Sequence, residues 1–477
     1  MSCEILRRAQ NDKSVQTAQA RLFCRTLFVC ELILVFSGTL QAVMYMQSIW
    51  SANTELPRFP ALAQNKKTDV LVVGGGIAGL LCAYRLKTYG VNCILLEADR
   101  ICRGVTQNTT AKITVQHGFL YDKLIKRFGK EKAQMYLRAN ERALQNYRVL
   151  AKKFPCDFEN KENVVYTVDD YAAAERELHA LEALGVRPSF EKELPVPLRI
   201  AGAVRVPNQA QFHPLKFLSQ IAKALEIYEQ TKVFEIRGNC AYTAHGTVAA
   251  EQFVIATHFP ILNKHGAYYL KLYQERSYVL ALENGPQING MYVDEAQKGM
   301  SFRNAGDFLL VGGGDHRTGA QGGNFAELRQ FAKTHYPACA TRYAWATQDC
   351  MSLDNVPYIG QYAKTLPNVY VATGFHKWGM TSSMAAAEIL CDAVLGKEND
   401  CAPVFSPSRS ILSVQLLKNG GTFLTSLLTP TPKRCPHMGC ALKWNAAEHT
   451  WDCPCHGSRF QEDGKLIENP ATDDLKL

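Results

Sequence analysis

The chain has 477 residues, of which 47% are hydrophobic and 20% are charged, as in an ordinary globular protein with a sizeable core. This length leaves room for about three domains. The net charge of +9 is modest, and no block of consecutive Lys and Arg residues predicts a nucleic-acid partner. Twelve of the sixteen cysteines are scattered without a framework spacing, which favours a reducing, cytoplasmic compartment over a disulfide scaffold.

Residues 1–65 form an N-terminal extension for which the sequence supports several interpretations. Five basic residues precede Thr26–Met46, which is apolar apart from Glu31 and a few other polar residues. The length suits a transmembrane anchor, but a carboxylate inside the span is costly. Translation from Met44 or Met46 would make the upstream residues an artefact, and a secretory signal lacks a clean cleavage site. We favour a cytoplasmic protein, with membrane contact through residues 26–46 as the alternative.

The first strong motif is a glycine-rich turn between a strand and a helix. Val70–Val73 is a short apolar run typical of a buried parallel strand, and Ala78–Lys87 has the pattern of a helix. Three glycines stand there at the spacing G-x-G-x-x-G: Gly74, Gly76 and Gly79. Such glycines allow a tight turn and a close approach of the backbone to a pyrophosphate at the helix N-terminus. The motif predicts a dinucleotide site; the alternative is an ordinary glycine-rich loop.

An acidic residue extends this motif. Glu97 lies 18 residues after the last of these glycines, at the end of the apolar strand Val91–Leu96, where a carboxylate can bind ribose hydroxyls. Its presence favours an unphosphorylated ribose, hence FAD or NAD rather than NADP. The next loop, Ala98–Lys112, is rich in hydroxyl groups and could fold over a phosphate or a ring. Thr106 and Thr110 are its candidate cofactor contacts; the alternative is an ordinary polar loop.

The middle of the chain changes from helical patterns to strand patterns. Helices are predicted over Phe128–Phe154, Asp170–Leu184 and His213–Leu225, with the proline-rich stretch Pro188–Pro207 as a connection. Short β-rich runs follow: Lys232–Ile236, Phe253–Thr257, Ser277–Leu282, Met291–Val293 and Phe308–Val311. We predict that Gly312–Gly319 is a turn near the active site, because no helix with a ribose acid follows it. With one dinucleotide unit visible, no separate NAD(P)H domain is predicted.

A second strand–turn–helix unit closes this part of the chain. Val369–Ala372 predicts a strand and Thr381–Leu395 predicts an Ala-rich helix. The turn between them holds three further candidate cofactor contacts: Gly374, Gly379 and Met380.

With the first glycine turn, its ribose acid and the strand Val254–Thr257, this unit resembles the D-amino-acid-oxidase-like family of FAD-dependent oxidoreductases over Thr68–Gly396. The resemblance implies an α/β (α+β) fold: a Rossmann-like FAD-binding domain with an interleaved, mixed-sheet substrate domain, here residues 66–399. It also implies FAD as the cofactor, with Val233 among its contacts, and a closing helix whose N-terminus points at the flavin ring. His258 departs from the pattern, because the family usually has a glycine there.

No nucleophile or catalytic dyad stands out in the sequence. Hydride transfer to a flavin needs a positioned substrate more than a base, so we assign no catalytic residue. The polar residues expected near the flavin each have a structural role as the simpler interpretation: Arg303, His316, His376 and Lys377.

The most specific motif follows a linker-like stretch, residues 400–430. Its cysteines and histidines form two groups: Cys435, His437 and Cys440, then Cys453, Cys455 and His456. This pattern resembles the Rieske iron–sulfur family, in which two thiolates hold one iron of a 2Fe–2S cluster and two imidazoles hold the other. The resemblance implies a small all-β module over residues 431–477, with Cys435, His437, Cys453 and His456 as the metal ligands. A zinc site with two Cys and two His ligands is the alternative.

The Rieske resemblance implies further features of this module. Cys440 and Cys455 match the positions that form a disulfide in the cytochrome bc-type proteins. Ser458 matches a hydroxyl that donates to a bridging sulfide, whereas Phe460 replaces a tyrosine that donates to a ligand sulfur, so an intermediate reduction potential is expected. Because the motif region is short, we expect its supporting strands to come from Phe405–Leu428 or from the flavin domain.

Together the two motifs resemble bacterial fusions of a FAD oxidoreductase with a C-terminal Rieske module. A flavin accepts two electrons and releases them singly, whereas the cluster carries one at a time. We therefore predict a dehydrogenase that oxidises a small amine, amino acid or hydroxy acid and passes electrons through the cluster to an unidentified one-electron acceptor. A redox sensor without turnover and a reductase fed through the cluster are the alternatives.

Overall fold

The computed structural model describes residues 46–262, 265–296, 298–322 and 324–476. The predicted anchor, residues 26–46, lies almost entirely outside these ranges, and so does the alternative start at Met44. Within the described ranges, no helix is both long enough and apolar enough to cross a membrane. Residues 46–65, which the sequence assigns to the N-terminal extension, contribute Trp50 and Leu62 to the buried core.

The strands are, in chain order, β1 Lys66–Val73, β2 Cys93–Leu96, β3 Lys112–Ile113, β4 Glu159–Thr167, β5 Ser189–Glu191, β6 Gly202–Gln211, β7 Glu226–Tyr228, β8 Glu235–Arg237, β9 Cys240–Thr243, β10 Gly246–Ile255, β11 Leu272–Glu283, β12 Met291–Asp294, β13 Ser301–Ala305, β14 Phe308–Arg317, β15 Ala340–Ser352, β16 Tyr358–Ala363, β17 Leu366–Thr373, β18 Lys443–Asn445, β19 Thr450–Asp452, β20 Arg459–Gln461 and β21 Leu466–Glu468. The helices are α1 Ile49–Ala52, α2 Ile77–Thr88, α3 Tyr121–Phe128, α4 Lys130–Lys153, α5 Tyr171–Ala183, α6 Pro214–Ala222, α7 Tyr268–Lys271, α8 Asn324–His335, α9 Gly379–Val394, α10 Ala402–Phe405 and α11 Val414–Leu428.

β1 lies at the centre of the first sheet, whose order is β16-β17-β10-β1-β2-β7. It pairs in parallel with β10 and β2, which in turn pair in parallel with β17 and β7. Leu71 and Val72 belong to the cores on opposite faces of this sheet. Because both faces are covered, the strand is a continuous apolar run. The arrangement confirms the Rossmann-like half of the predicted fold.

The second sheet is mixed and has the order β15-β11-β14-β13-β12-β4-β6-β3. β12 pairs in parallel with β4, whereas β11 pairs antiparallel with both β14 and β15. Its strands come from two stretches of chain that alternate with strands of the first sheet. The predicted interleaving of a mixed-sheet domain with the dinucleotide domain is therefore confirmed.

The third sheet is small and antiparallel, with the order β18-β19-β20-β21. All four strands lie within Lys443–Glu468. The expectation that Phe405–Leu428 or the flavin domain supplies the supporting strands was therefore wrong. That segment instead ends in helix α11, which begins at the N-cap Ser413, whose hydroxyl accepts a hydrogen bond from the Leu416 N–H at 3.2 Å.

Glycine explains two other differences from the sequence predictions. The helix predicted over Phe128–Phe154 is divided into α3 and α4 at Gly129, whose φ of +84° breaks the helix. Gly312–Gly319 is a turn only at its end, Thr318 and Gly319, because β14 continues through the rest of this stretch to Arg317 beside β11. A Cβ on Gly312 would lie 2.7 Å from the Ser301 hydroxyl, so close strand contact requires the glycine.

Two further stretches were assigned wrongly. Pro188–Pro207 is not a plain connection, since it contains β5 and the first half of β6, which pair with each other. Val204 and Val206 of β6 are buried at alternate positions, as expected of a strand. The run predicted over Lys232–Ile236 forms a strand only from Glu235, which leaves Val233 in the preceding loop.

Candidate functional site

The glycine turn after β1 leaves no room for a side chain at Gly74 or Gly79. A Cβ on Gly79 would lie 1.9 Å from the Gly74 carbonyl oxygen, and a Cβ on Gly74 would lie 2.5 Å from the Ala256 carbonyl oxygen. Gly76 differs, because a Cβ there would meet only the Thr106 hydroxyl, at 3.3 Å. Gly76 is also the N-cap of α2. The backbone at the start of this helix is thus accessible to a phosphate group, as the motif requires.

Glu97 is held against the same turn. Its carboxylate accepts hydrogen bonds from the Gly75 N–H at 2.6 Å and from the Asp99 N–H at 2.8 Å. Burial raises its pKa. Since each carboxylate oxygen has a second acceptor site, these bonds leave Glu97 able to accept from a ribose hydroxyl.

One cavity of about 1830 Å³ connects the predicted cofactor residues. Nine of the ten line it: Gly74, Gly76, Glu97, Thr106, Thr110, Val233, Gly374, Gly379 and Met380. Gly79 is the exception, because it packs beneath the turn. These residues come from both the N-terminal and the C-terminal part of the flavin domain. The backbone at the start of α2, the Glu97 carboxylate and the unfilled space at Gly76 fit a dinucleotide cofactor. Their individual contacts with FAD stay predictions.

Two of the four polar residues expected near the flavin, Arg303 and His316, make structural contacts, whereas His376 lines the cavity and its buried Nδ1 has no hydrogen-bond partner among the described residues. Arg303 is buried and donates to the Thr110 and Ala111 carbonyl oxygens at 2.7 and 2.9 Å, which fixes the loop after β2. His316 bonds the Tyr278 hydroxyl. Burial lowers the pKa of His376 to about 3, so this side chain is neutral.

Lys377 lies in a group of carboxylates that sequence reasoning missed. Its ammonium is 2.6 Å from Asp315 and 3.1 Å from Glu275. Burial opposes the charge, but these carboxylates raise the pKa of Lys377 above its usual value. Asp349 lines the same cavity, and burial raises its pKa to about 7. The acids come from β11, β14 and β15, and no short motif in the sequence connects them.

The Rieske motif forms a compact group of sulfur and nitrogen donors. The sulfurs of Cys440, Cys453 and Cys455 all lie within 4.8 Å of one another, and the Cys435 thiol contacts that of Cys453. The imidazole rings of His437 and His456 have centroids 5.0 Å apart. The structure thus brings together all four predicted ligands. Cys440 and Cys455 are free thiols here, so the predicted disulfide is not supported.

The two histidines are prepared to bind a metal. His456 Nε2 donates to the Tyr269 carbonyl oxygen at 3.0 Å, which leaves Nδ1 as the acceptor nitrogen. That Nδ1 and both ring nitrogens of His437 are buried without a hydrogen-bond partner among the described residues. Burial lowers the pKa of His437 to about 3 and of His456 to about 4, so both are neutral. Unpartnered buried nitrogens beside thiols fit a 2Fe–2S cluster.

The cluster module is bound to the substrate sheet through β11. Gln274 Nε2 donates to the His456 carbonyl oxygen at 2.8 Å and to the Asn469 carbonyl oxygen at 3.0 Å. Arg276 forms an ion pair with Glu448, whose carboxylate also accepts from the Tyr278 hydroxyl. The intervening Tyr273, Glu275 and Ser277 line the cavity, which also reaches Arg276 and Tyr278 where the cluster module borders it.

The segment after β10 contacts both sites. Ala256 lies against Gly74 of the glycine turn, since a Cβ on Gly74 would lie 2.5 Å from the Ala256 carbonyl oxygen. Phe259 has its ring centroid 6.2 Å from the centroids of both His437 and His456. Between them, His258 adopts φ +65°, the conformation that a glycine would favour, and its Nε2 bonds the Gln274 amide oxygen at 3.0 Å. His258 thus has the positive φ that the glycine of the family pattern would adopt easily.

We expect Gly76→Val to lose FAD while remaining folded. Gly76 has an ordinary φ of −75°, so valine introduces no backbone strain, but its side chain would fill the space next to the helix N-terminus. FAD affinity should fall at least about tenfold, measured as bound flavin per chain after gel filtration. Gly420→Val, at a position with no atom within 4 Å of the added Cβ, is the control. Full flavin content in Gly76→Val would contradict this location of the cofactor.

We expect opposite shifts of the cluster potential from two buried positions. Ser458 is fully buried and its hydroxyl contacts the Cys435 sulfur, while Phe460 packs among the cysteines. Hydrogen bonds to the sulfurs stabilise the reduced cluster. Ser458→Ala should lower the potential, and Phe460→Tyr should raise it. We expect each shift to be about 60 mV, which corresponds to a tenfold change in the equilibrium constant of a one-electron reduction. An EPR-monitored redox titration measures both, and an unchanged potential in both variants would show that these side chains do not act on the cluster.

Comparisons with known proteins agree with both sites. The FAD dependent oxidoreductase family (DAO) matches residues 69–393, and the Rieske [2Fe-2S] domain matches residues 428–477. A Bacillus subtilis protein named "Putative Rieske 2Fe-2S iron-sulfur protein YhfW" is 34% identical over 90% of this chain and 97% of its own. "Probable oxidoreductase OrdL" of Haemophilus influenzae is 24% identical over 72% of this chain and 86% of its own.

Solved structures share the fold of the flavin part. Glycine oxidase from Geobacillus kaustophilus has a TM-score of 0.61 at 20% identity and covers 73% of this chain and 100% of its own. L-proline dehydrogenase from P. horikoshii also has a TM-score of 0.61, at 18% identity, over 72% of this chain and 98% of its own. The chain belongs to the DAO family of FAD-dependent oxidoreductases and carries a C-terminal Rieske 2Fe–2S domain.

Proposed function

We propose that this enzyme oxidises a small amine, amino acid or hydroxy acid at its FAD and passes the electrons one at a time through the Rieske cluster to an acceptor. The observation that carries the proposal is the four-residue segment Ala256–Phe259. One end of it packs on the dinucleotide turn and the other end lies against both histidine ligands. A sensor without turnover and a reductase fed through the cluster remain the alternative functions.

The two cofactors supply complementary chemistry. When bound, FAD takes two electrons from an organic donor and releases them singly, and the cluster carries one. Gly74, Gly76 and Glu97 would hold the dinucleotide, and the start of α9 would face the flavin with its N-terminal dipole. Cys435, His437, Cys453 and His456 would hold the cluster. We propose residues 66–399 as the flavin domain, 400–430 as a linker and 431–477 as the Rieske module, in a cytoplasmic protein.

The charges of the cavity favour an amine group on the substrate. Glu275 and Asp315 flank Lys377, and Asp349 adds a third carboxylate that ionises near neutral pH. Arg317 also acts on Glu275, whereas Arg276 is paired with Glu448, so two cations face up to three carboxylates. A substrate ammonium would be attracted to this excess of negative charge, whereas Lys377 is already neutralised as a partner for a substrate carboxylate. Among the three proposed classes, amines and amino acids fit this charge balance better than hydroxy acids.

The experiment is an anaerobic screen of amines, amino acids and hydroxy acids with the holoprotein. A true substrate should bleach the flavin absorbance, and the EPR signal of the reduced cluster should follow. Flavin bleaching without cluster reduction would contradict the electron route, and no bleaching by any compound would favour a sensor.

The variant Gln274→Leu separates the two half-reactions. Leucine removes the amide that joins His258 to the carbonyls of His456 and Asn469, at a cost of about 1–3 kcal/mol for the buried groups left unpaired. Flavin bleaching by substrate should keep its rate, while cluster reduction should slow by about tenfold or more. Gln330→Leu, on an exposed face of α8, is the matched control. Equal rates of cluster reduction in wild type and Gln274→Leu would argue against this route.

Asp349 predicts a pH dependence for an amine substrate. Its pKa of about 7 means that the carboxyl is neutral below this pH and charged above it. Binding of a substrate ammonium should therefore tighten as the pH rises through about 7, and KM should fall. Asp349→Asn should remove this dependence and leave the weak binding seen at low pH. The measurement is KM against pH, with the exposed Asp307→Asn as control; an unchanged profile in Asp349→Asn would contradict the assignment.

A further inference from the structure

Helix α11 presents most of its leucines to solvent and buries Asn419 and Ser426 against the protein. Leu417 is 76% exposed and Leu428 is 78% exposed, whereas Asn419 and Ser426 are buried. We call the exposed set the leucine stripe: Leu412, Val414, Leu417, Leu424, Leu427 and Leu428. Val414, Leu417, Leu424 and Leu428 lie on one face of the helix, at spacings of three, seven and four residues, and Gly421 occupies the position between the two middle leucines. Contiguous exposed apolar surface of this kind marks an interaction site.

The outward orientation of the stripe is fixed by contacts on the other face. Asn419 accepts a hydrogen bond from Arg317 of β14 at 2.9 Å. The Ser426 carbonyl oxygen accepts from the Ala441 N–H at 3.1 Å, next to the first ligand loop. Phe423 has its ring centroid 6.3 Å from that of His456. Rotating the helix to bury its leucines would break these contacts with both the flavin domain and the Rieske module.

The charge around α11 indicates what covers the stripe. Residues 401–447 contain no Asp or Glu, and besides Arg409, which is buried in an ion pair with Asp354, they contain four cations: Lys418, Lys433, Arg434 and Lys443. Lys418 is exposed at the rim of the stripe. An apolar helix face in a cationic segment matches a bilayer surface with anionic headgroups, where apolar burial and charge attraction act together. A second copy fits less well, because packing two stripes face to face would bring like charges together.

We propose that α11 is an interfacial helix that docks this protein on the surface of a bilayer containing anionic lipids. A helix lying in the plane of the interface needs an apolar face rather than the length of a membrane span. The docking does not depend on the proposed reaction. If that reaction holds, docking would bring the Rieske ligands within about one helix diameter, roughly 10 Å, of an acceptor in the membrane.

The experiment is co-sedimentation of the full-length holoprotein with vesicles of pure phosphatidylcholine and of phosphatidylcholine mixed with phosphatidylglycerol. Wild type should bind the anionic vesicles more strongly, and added salt should weaken that binding. The double variant Leu417→Asp with Leu424→Asp should bind the anionic vesicles at least about tenfold more weakly. Lys418→Glu should give a smaller loss. Val149→Asp, at a position on α4 that is 65% exposed, is the matched control and should bind like wild type.

Several outcomes would overturn the proposal. One is equal vesicle binding by wild type and the double variant, which would assign any binding to another part of the chain, such as residues 26–46. Another is a wild type that binds neither vesicle, or binds both equally. A third is a wild-type dimer that the double variant converts to a monomer, which would make the stripe a contact between copies. Unchanged flavin and cluster spectra in the double variant verify that it is folded, and none of these measurements requires turnover.

Discussion

The structure depends on the alternation of side chains along β11. Successive residues of a strand point to opposite faces, so Glu275 binds Lys377 while its neighbours Gln274 and Arg276 bind the Rieske module, Arg276 at the border between this module and the cavity. Burying Arg276 would be costly without a partner, and Glu448 provides one. Although burial opposes it, Arg276 and Arg459 lower the pKa of Glu448 to about 2, which keeps the pair ionised over the whole ordinary pH range. These ions and amides are satisfied together in one arrangement, so they specify how the two cofactor sites face each other.

His258 shows how a departure from a family pattern can keep the fold and add a contact. A non-glycine residue at φ +65° costs roughly 1–2 kcal/mol. The Thr373 hydroxyl bonds its carbonyl oxygen at 2.5 Å, and its imidazole bonds Gln274. Glycine could keep the first bond but not the second. The strain is thus offset by a side chain that connects the dinucleotide strand with the strand that holds the cluster module.

The sequence predicted those parts of the structure that a few residues close together in the chain are sufficient to specify. The glycine turn with Glu97 and the two Cys–His groups are local, because spacing along the chain determines which atoms converge there. The acids around Lys377 were missed because Glu275, Asp315 and Asp349 converge only through the pairing of β11 with β14 and β15. Gly312 was misread for a related reason. Its glycine serves close packing between strands, and a sequence signal of turn chemistry cannot distinguish that role from a turn.

The exposed face of α11 is also set by residues that are distant in the sequence, whose contacts override the preference of the helix by itself. By itself, a helix with this sequence would bury Leu417 and Leu424 and expose Asn419. Arg317 reverses that preference, because its guanidinium binds Asn419 together with the Pro454 and Cys455 carbonyl oxygens of the second ligand loop. The polar face of α11 is therefore required by the loop that carries His456, and the leucines are left outside as a consequence. Under the proposed function the cluster would be held between β11 and α11, and α11 also contributes Lys418 and Thr422 to the lining of the cavity. The leucines on the outer face of α11 would then lie where a membrane-bound acceptor could approach the cluster.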